Sequence, residues 1–428
     1  MRIRYYHIWT SILILISVSC SVRYQTLNEL YNKERDLIYE QIETITGFNQ
    51  SFLVWIEQPV DHHNPESGTF KQRVWINHIS NESPVVIVTE GYMAPQNYAS
   101  ELSQLLGANQ IVVEHRFFGA SRPDSIDWQY LTIDQAARDH QNIIQIFRRL
   151  YKGKWVSTGI SKGGQAAIIH RAMFPRSVDA TVTYVAPFNL ERDERRLIDF
   201  FDQVGTHEER ERILAFQKEV LKRRNQMIPM FEEMAEEKGW TFSMGIEKAF
   251  ELSVLEYPFS LWQWCVPLDL VPSPSVSSRA LFDHLYRGID FSYFTEQESE
   301  QVGPFFIQAY SELGYYGYLT TPLQPYLKTI DTDTISSDGL IPDVGFQPVY
   351  HPQPINNIKN RLHRSDPRML LITGGNDPWS ATTPDISRLK NSIHIEMENG
   401  CHLTRIESLP DSLRKEVIET FRKWNLLN

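Results

Sequence analysis

Cysteine is scarce in this chain: three among 428 residues, at positions 20, 265 and 401. That scarcity excludes a scaffold knit by many disulfides and a metal knot built on thiolates. Beyond the first twenty residues no stretch is apolar for long enough to span a bilayer, which takes roughly 20 residues. Blocks of one charge sign are missing as well. The formal net charge is -11 with acidic and basic residues interspersed, so no basic footprint for nucleic acid exists and none is expected as a partner. Repeats and low-complexity tracts are absent, which removes solenoids and disordered arrays. His62 and His63 sit together in a turn-rich loop with no ligand cluster nearby, so no metal is expected there. No cofactor is implied.

What is present suffices for a large core: 42% of the residues are hydrophobic, enough for one large domain with an insertion or for two to three average ones. Arg2 and Arg4 precede an apolar run over residues 8–18, which ends in Ser17-Val18-Ser19 and Cys20. This reads as an export signal over residues 1–20. Cys20 stands where a bacterial lipoprotein signal places its lipidated cysteine, although Ser17 replaces the usual Leu; cleavage near Ser19 is the alternative. Cys265 and Cys401 then form an even pair, which permits one disulfide and equally permits two buried thiols.

After a helical stretch over residues 27–45, residues 52–56 and 70–76 have strand character and flank a turn-rich segment, a hairpin signal. Residues 84–89 and 110–114 read as strands buried on both faces, and residues 155–160 and 180–185 continue the series. Helical patterns at 97–106 and 132–151 lie between them. Alternation of this kind predicts an α/β fold with a mostly parallel, doubly wound sheet. From residue 189 the composition turns charged and helix-forming, so residues 190–331 are expected to be a helical cap inserted between two parts of the core, 21–189 and 332–428. The sheet pattern resumes at 368–373 and 392–397, and a final helix covers 409–426.

Chemistry concentrates at Gly159-Ile160-Ser161-Lys162-Gly163-Gly164, between a strand and a helix start. A G-x-S-x-G turn of this kind is a nucleophile elbow, whose glycines let the backbone bend sharply and expose the serine oxygen. Ser161, Asp377 and His402 each follow a strand, in the order nucleophile, acid, histidine of the α/β-hydrolase arrangement. A serine hydroxyl needs a neutral imidazole to take its proton, and a buried carboxylate to hold that imidazole in the right tautomer. Topology places the oxyanion hole at the Lys162 amide, with Gly91 or Tyr92 as the second donor.

Several segments carry a family resemblance. Gln58-Pro59-Val60-Asp61-His62 with Thr69-Phe70-Lys71-Gln72-Arg73, Thr89-Glu90-Gly91-Tyr92, Glu114-His115-Arg116-Phe117-Phe118-Gly119 with Ser121-Arg122-Pro123, the elbow itself, and Glu256-Tyr257-Pro258-Phe259 resemble the secreted bacterial serine tripeptidyl aminopeptidases. The chain is similar, more distantly, to the prolyl carboxypeptidase and dipeptidyl peptidase group. Those enzymes usually have Ser-Tyr-Gly-Gly where this chain has Ser161-Lys162-Gly163-Gly164, which favours the first family. The resemblance implies an exported α/β-hydrolase with a helical cap that releases short peptides from free N-termini through an acyl-enzyme. A dipeptidyl peptidase, a carboxypeptidase-like enzyme, an esterase and a non-catalytic surface binder are the alternatives.

An exopeptidase needs an anchor for the chain end. Glu90 and Glu114, at the ends of adjacent strands, are candidates for the substrate's ammonium; Arg116 or Arg122 would instead suit a terminal carboxylate. Trp262 and Trp264 are candidates for lining an apolar or proline-accepting pocket beneath the cap.

Overall fold

The computed structural model describes residues 23–34 and 37–427; the segment expected to be an export signal, with Cys20, lies outside the described residues. Helix α1 (Leu27–Lys33) is capped by the Thr26 hydroxyl, which accepts from the Glu29 amide, and leads into β1 (Leu37–Ile42). The helical expectation for residues 27–45 therefore holds only over residues 27–33. Residues 37–42 pair antiparallel with β2 (Gln50–Pro59), Leu37 opposite Ile56. A neighbouring strand supplies hydrogen bonds that a short isolated helix cannot match.

A loop over residues 60–68, which carries a short 3-10 turn at Pro65–Ser67, joins β2 to β3 (Thr69–His78), with Pro59 opposite Thr69. Next come β4 (Val85–Thr89), α2 (Glu101–Leu106), β5 (Asn109–Val113), α3 (Ile133–Phe147), β6 (Trp155–Ile160), α4 (Lys162–Met173) and β7 (Ala180–Tyr184). Every residue of β4, β5 and β7 is buried, as strands covered on both faces require. The chain then leaves the sheet for α5 (Arg195–Phe201), α6 (His207–Lys222), α7 (Arg224–Lys238), α8 (Ile246–Gln263), α9 (Ser278–Gly288) and α10 (Glu296–Gln308), followed by the antiparallel pair β8 (Gly317–Leu319) and β9 (Thr334–Ser336). It returns through α11 (Gln353–Ser365), β10 (Met369–Gly374), β11 (Ser392–Met397) and α12 (Asp411–Lys423).

Among the described residues the main sheet runs β1-β2-β3-β5-β4-β6-β7-β10-β11. The first three strands form an antiparallel meander that joins β5 antiparallel, and from β5 to β11 each neighbouring pair is parallel. This mostly parallel sheet, flanked by helices, is the α/β-hydrolase fold. Parallel pairing brings the C-terminal ends of β4, β6, β7, β10 and β11 to one edge, where such sheets place their sites.

The helices between β7 and β9 have a core of their own, in which Phe216, Phe231, Phe250 and Tyr257 are fully buried. Each such side chain contributes roughly 1.5–3 kcal/mol on burial. Within α8, Pro258 has no amide to offer the Val254 carbonyl four residues back. Gln217 Nε2 donates to that carbonyl instead, at 2.7 Å. Just past the end of α8, Cys265 forms a disulfide with Cys401, 136 residues away, with Cα atoms 5.6 Å apart.

Candidate active site

The elbow follows from three glycines. Ser161 sits between β6 and α4 with φ 55° and ψ -128°, a region that costs a residue with a side chain about 1–3 kcal/mol. Close packing holds it there. A Cβ on Gly159 would lie 2.3 Å from the Gly163 carbonyl carbon, one on Gly163 2.4 Å from the Thr89 oxygen, and one on Gly164 2.6 Å from Ala186 Cβ. Thr26, Thr132, Thr206 and Thr295 cap their helices with side-chain hydroxyls, whereas Ser161 makes no such bond. The first amides of α4 therefore stay open for an anion. Gly91 lies flush on this helix start: a Cβ there would come within 2.6 Å of Lys162 Cβ and 2.7 Å of the Gly163 nitrogen. Among the described residues, the amides of Gly91, Tyr92 and Lys162 have no hydrogen-bond acceptor.

Asp377 and His402 come from the loops after β10 and β11, and these loops are zipped together. Asn376 N–H donates to the Gly400 carbonyl at 2.8 Å, and Gly375 N–H to Met397 at 2.8 Å. Gly374 allows the approach, since a Cβ there would lie 2.4 Å from the Gly400 carbonyl carbon. His402 Nδ1 bonds Asp377 Oδ2 at 2.8 Å, with both side chains buried. The carboxylate thereby fixes the ring and the tautomer that leaves Nε2 able to accept a proton. No hydrogen bond joins Ser161 to His402 here; contacts of this kind commonly tighten only around bound substrate.

Ser161 opens into a cavity of about 260 Å³ between the sheet edge and the helices. Its helical wall includes Glu256, Ser260 and Gln263, three positions on one face of α8, together with Trp264, Asp290, Tyr293, Glu298 and Phe305. Trp264 is half-exposed, and its ring stands edge-on to His402 at 5.6 Å. The His402 amide also donates to the Gln263 carbonyl at 3.0 Å. Glu256 is buried, accepts from the hydroxyls of Tyr318 at 2.8 Å, Tyr316 at 2.9 Å and Ser260 at 3.1 Å, and has no cationic neighbour among the described residues. Burial pushes its carboxyl up to about 7 against the pull of those hydroxyls. Glu298 is raised too, first by burial and then by Asp290. Lys162 is the cation lining this cavity, and burial holds its amine well below the ordinary lysine value.

Two of the anticipated anchors are overturned. Glu114 is completely buried and saturated: it accepts from the amides of Ala94 and Ala120 and from the Ser121 hydroxyl, and pairs with Arg73 at 3.6 Å. Arg116, also fully buried, is forked onto Asp139 at 2.7 and 2.8 Å and onto the carbonyls of Pro59, Val60 and Tyr130. Both brace loops, because strand-end charges without solvent access need such partners. Glu90 accepts from the Tyr98 hydroxyl at 2.5 Å and is not among the cavity's lining residues. Trp262 is not among the residues lining the Ser161 cavity; it is buried in the helical core, packed on Gly205, where a Cβ would lie 2.4 Å from its ring. Sequence reasoning missed Glu256 as a site residue, although the four- and three-residue spacing of Glu256, Ser260 and Gln263 along a helix was there to read.

A family model described as PS-10 peptidase S37 matches residues 33–395. Prolyl tri/tetrapeptidyl aminopeptidase from Streptomyces mobaraensis is 32% identical over 383 residues, covering 86% of this chain and 78% of that protein. Thymus-specific serine protease from Mus musculus is 32% identical over 153 residues, 32% of this chain and 30% of its own length. The crystal structure of proline iminopeptidase from Mycobacterium smegmatis superposes with a TM-score of 0.46 at 13% identity, covering 87% of this chain and 99% of that one.

Proposed function

The chain belongs to the peptidase S37 family of serine peptidases, and from that premise we propose that it is an exopeptidase releasing short peptides, tripeptides foremost, from free N-termini. Ser161 attacks the scissile carbonyl as His402 takes its proton, Asp377 steadies the imidazolium, and the amides of Lys162 and of Gly91 or Tyr92 receive the oxyanion. The acyl-enzyme then yields to water with His402 as base.

The observation that carries the direction of attack is the charge of the Ser161 cavity. Glu256, Asp290 and Glu298 line it, while its one lining cation, the Lys162 amine, is spent on the Gly91 carbonyl. A buried carboxylate without a cation is costly, and a substrate ammonium would complete it. Glu256 thus takes the anchoring role that sequence reasoning gave to Glu90 and Glu114. A terminal carboxylate would meet three carboxyl groups and no uncommitted cation among the lining residues.

Export is part of the same proposal: Arg2, Arg4 and the apolar run over residues 8–18 support a cleaved signal, with Cys20 as a lipid anchor. Incubating the purified protein with paired peptides carrying free or acetylated N-termini, and weighing the products, tests the activity. Short N-terminal fragments from the free peptides alone are expected. Equal cleavage of both sets, or release of C-terminal residues, would sink the reading.

A further inference from the structure

Lys162 is 3% exposed, yet among the described residues no carboxylate lies within ion-pairing distance of it. Its Nζ donates to the Gly91 carbonyl at 2.5 Å. Around it stand the rings of Phe118, Tyr92 and Phe305, with centroids at 4.7, 5.4 and 6.0 Å. Such a cage stabilises an ammonium through the ring faces, and buried Glu312 favours its charge from beyond ion-pairing distance, but burying a lysine with no direct ion pair remains expensive. The arrangement asks what the single hydrogen bond accomplishes.

The answer lies in peptide geometry. A trans peptide points its C=O and its N–H in opposite directions, and no peptide bond is cis among the described residues. The carbonyl that Lys162 grips belongs to the same planar unit as the Tyr92 amide, which has no acceptor of its own. Fixing the Gly91 oxygen on one side therefore fixes the bearing of the Tyr92 N–H on the other. Beyond Gly91 the loop is held by the Tyr92 carbonyl, bonded by the His115 amide at 3.1 Å, and by Ala94, whose amide donates to Glu114 at 3.0 Å and whose carbonyl accepts from Trp75 at 2.9 Å; none of these bonds falls on the Gly91–Tyr92 peptide unit itself. General-base action by Lys162 does not fit, since its amine is committed to a carbonyl and His402 already has its orienting carboxylate.

We propose that Lys162 is a positioning residue, whose side chain clamps the Gly91 carbonyl so that the Tyr92 amide joins the Lys162 amide in the oxyanion hole. The residue after the nucleophile then serves the hole twice, once through its backbone and once through its side chain. Phe305, on α10, completes the cage from the helical region.

The proposal rests on the acyl-enzyme reading above, and its test separates the two. Lys162→Met keeps an apolar stem of similar length and removes the donor. Its kcat is expected to fall about 100-fold, the loss typical of one oxyanion donor, with KM and the affinity for a product tripeptide unchanged. Affinity for a peptide aldehyde, whose adduct with Ser161 puts an oxyanion in the hole, should fall by the same factor. Unchanged aldehyde affinity, or product affinity lost in step with kcat, would overturn the clamp. If Lys162→Met does not fold, Lys162→Gln, which keeps an N–H donor, takes its place, with a smaller loss confined in the same way to kcat and aldehyde affinity. Ser161→Ala is the separate arm: turnover surviving there defeats the acyl-enzyme itself, whereas an inert Ser161→Ala beside a fully active Lys162→Met defeats only the clamp.

Discussion

The sheet edge and the helical wall face each other across the Ser161 cavity, and they hold their polar groups by different means. On the sheet side, Ser161, Asp377 and His402 are fixed by backbone: turns after β6, β10 and β11, glycines that admit close approach, and amide bonds zipping two loops. On the helical side, Glu256 is fixed by side chains, three hydroxyls from α8 and the segment around β8. Backbone turns give reacting atoms little freedom. Side-chain networks can be retuned without disturbing the sheet, which suits the part of a site that selects substrate.

If that division is right, the largest losses follow changes on the sheet side and should appear in kcat. Ser161→Ala should abolish turnover, a fall of about 10⁶ where the nucleophile of such a triad is removed, with the thermal unfolding midpoint kept, since the strained φ of 55° remains. Asp377→Asn should cost about 10⁴ in kcat through the wrong imidazole tautomer, with KM nearly unmoved. Burst kinetics with an activated ester checks both. A large rise in KM with kcat intact would blur the division.

The two sides also differ in how far the sequence disclosed them. Triad order, strand ends and elbow glycines are local and sequential, so Ser161, Asp377 and His402 could be placed by reading along the chain. Glu114 and Arg116 misled because a charged residue at a strand end looks identical in sequence whether it meets substrate or braces a loop. Only tertiary partners separate the two cases: Arg73 and Ser121 for Glu114, Asp139 for Arg116. Glu256 was hidden for the converse reason, since its isolation from cations is a property of the folded cavity. The edge strand at 37–42 was misread because its partner, β2, lies outside any local window.

On the helical side the expected losses are smaller and selective. Glu256→Gln should lower kcat/KM for free-amine peptides about 10- to 100-fold, the worth of a charge-assisted bond, and hardly change the slow turnover of acetylated ones. The pH profile sharpens this. Free Glu256 takes up a proton below about 7, so ionisation, and with it attraction for an ammonium, grows as pH rises through that value; kcat/KM should climb there. In Glu256→Gln the limb that Glu256 sets should be lost. Stability runs the other way: between the ordinary 4.5 and about 7 the native state holds a proton that the unfolded chain has released, so this group's contribution declines as pH rises. A flat denaturation midpoint across that window would argue against the buried, cation-free setting of Glu256.

The mildest effect on activity is expected where the two sides are stitched together. Cys265 follows α8, and Cys401 precedes His402, so the disulfide joins the helical wall directly to the base. Reduction, or the paired change Cys265→Ser with Cys401→Ser, should cost about 2–4 kcal/mol of stability through release of a long closed loop. The ring itself has independent support, from Asp377 on one nitrogen and from its amide bond to the Gln263 carbonyl. Activity at temperatures well below the unfolding midpoint should therefore fall only a few-fold. A collapse of kcat comparable to Asp377→Asn in the folded, reduced protein would mean that the histidine belongs to the helical wall as much as to the sheet, and the division between chemistry and selection would have to be redrawn along the disulfide.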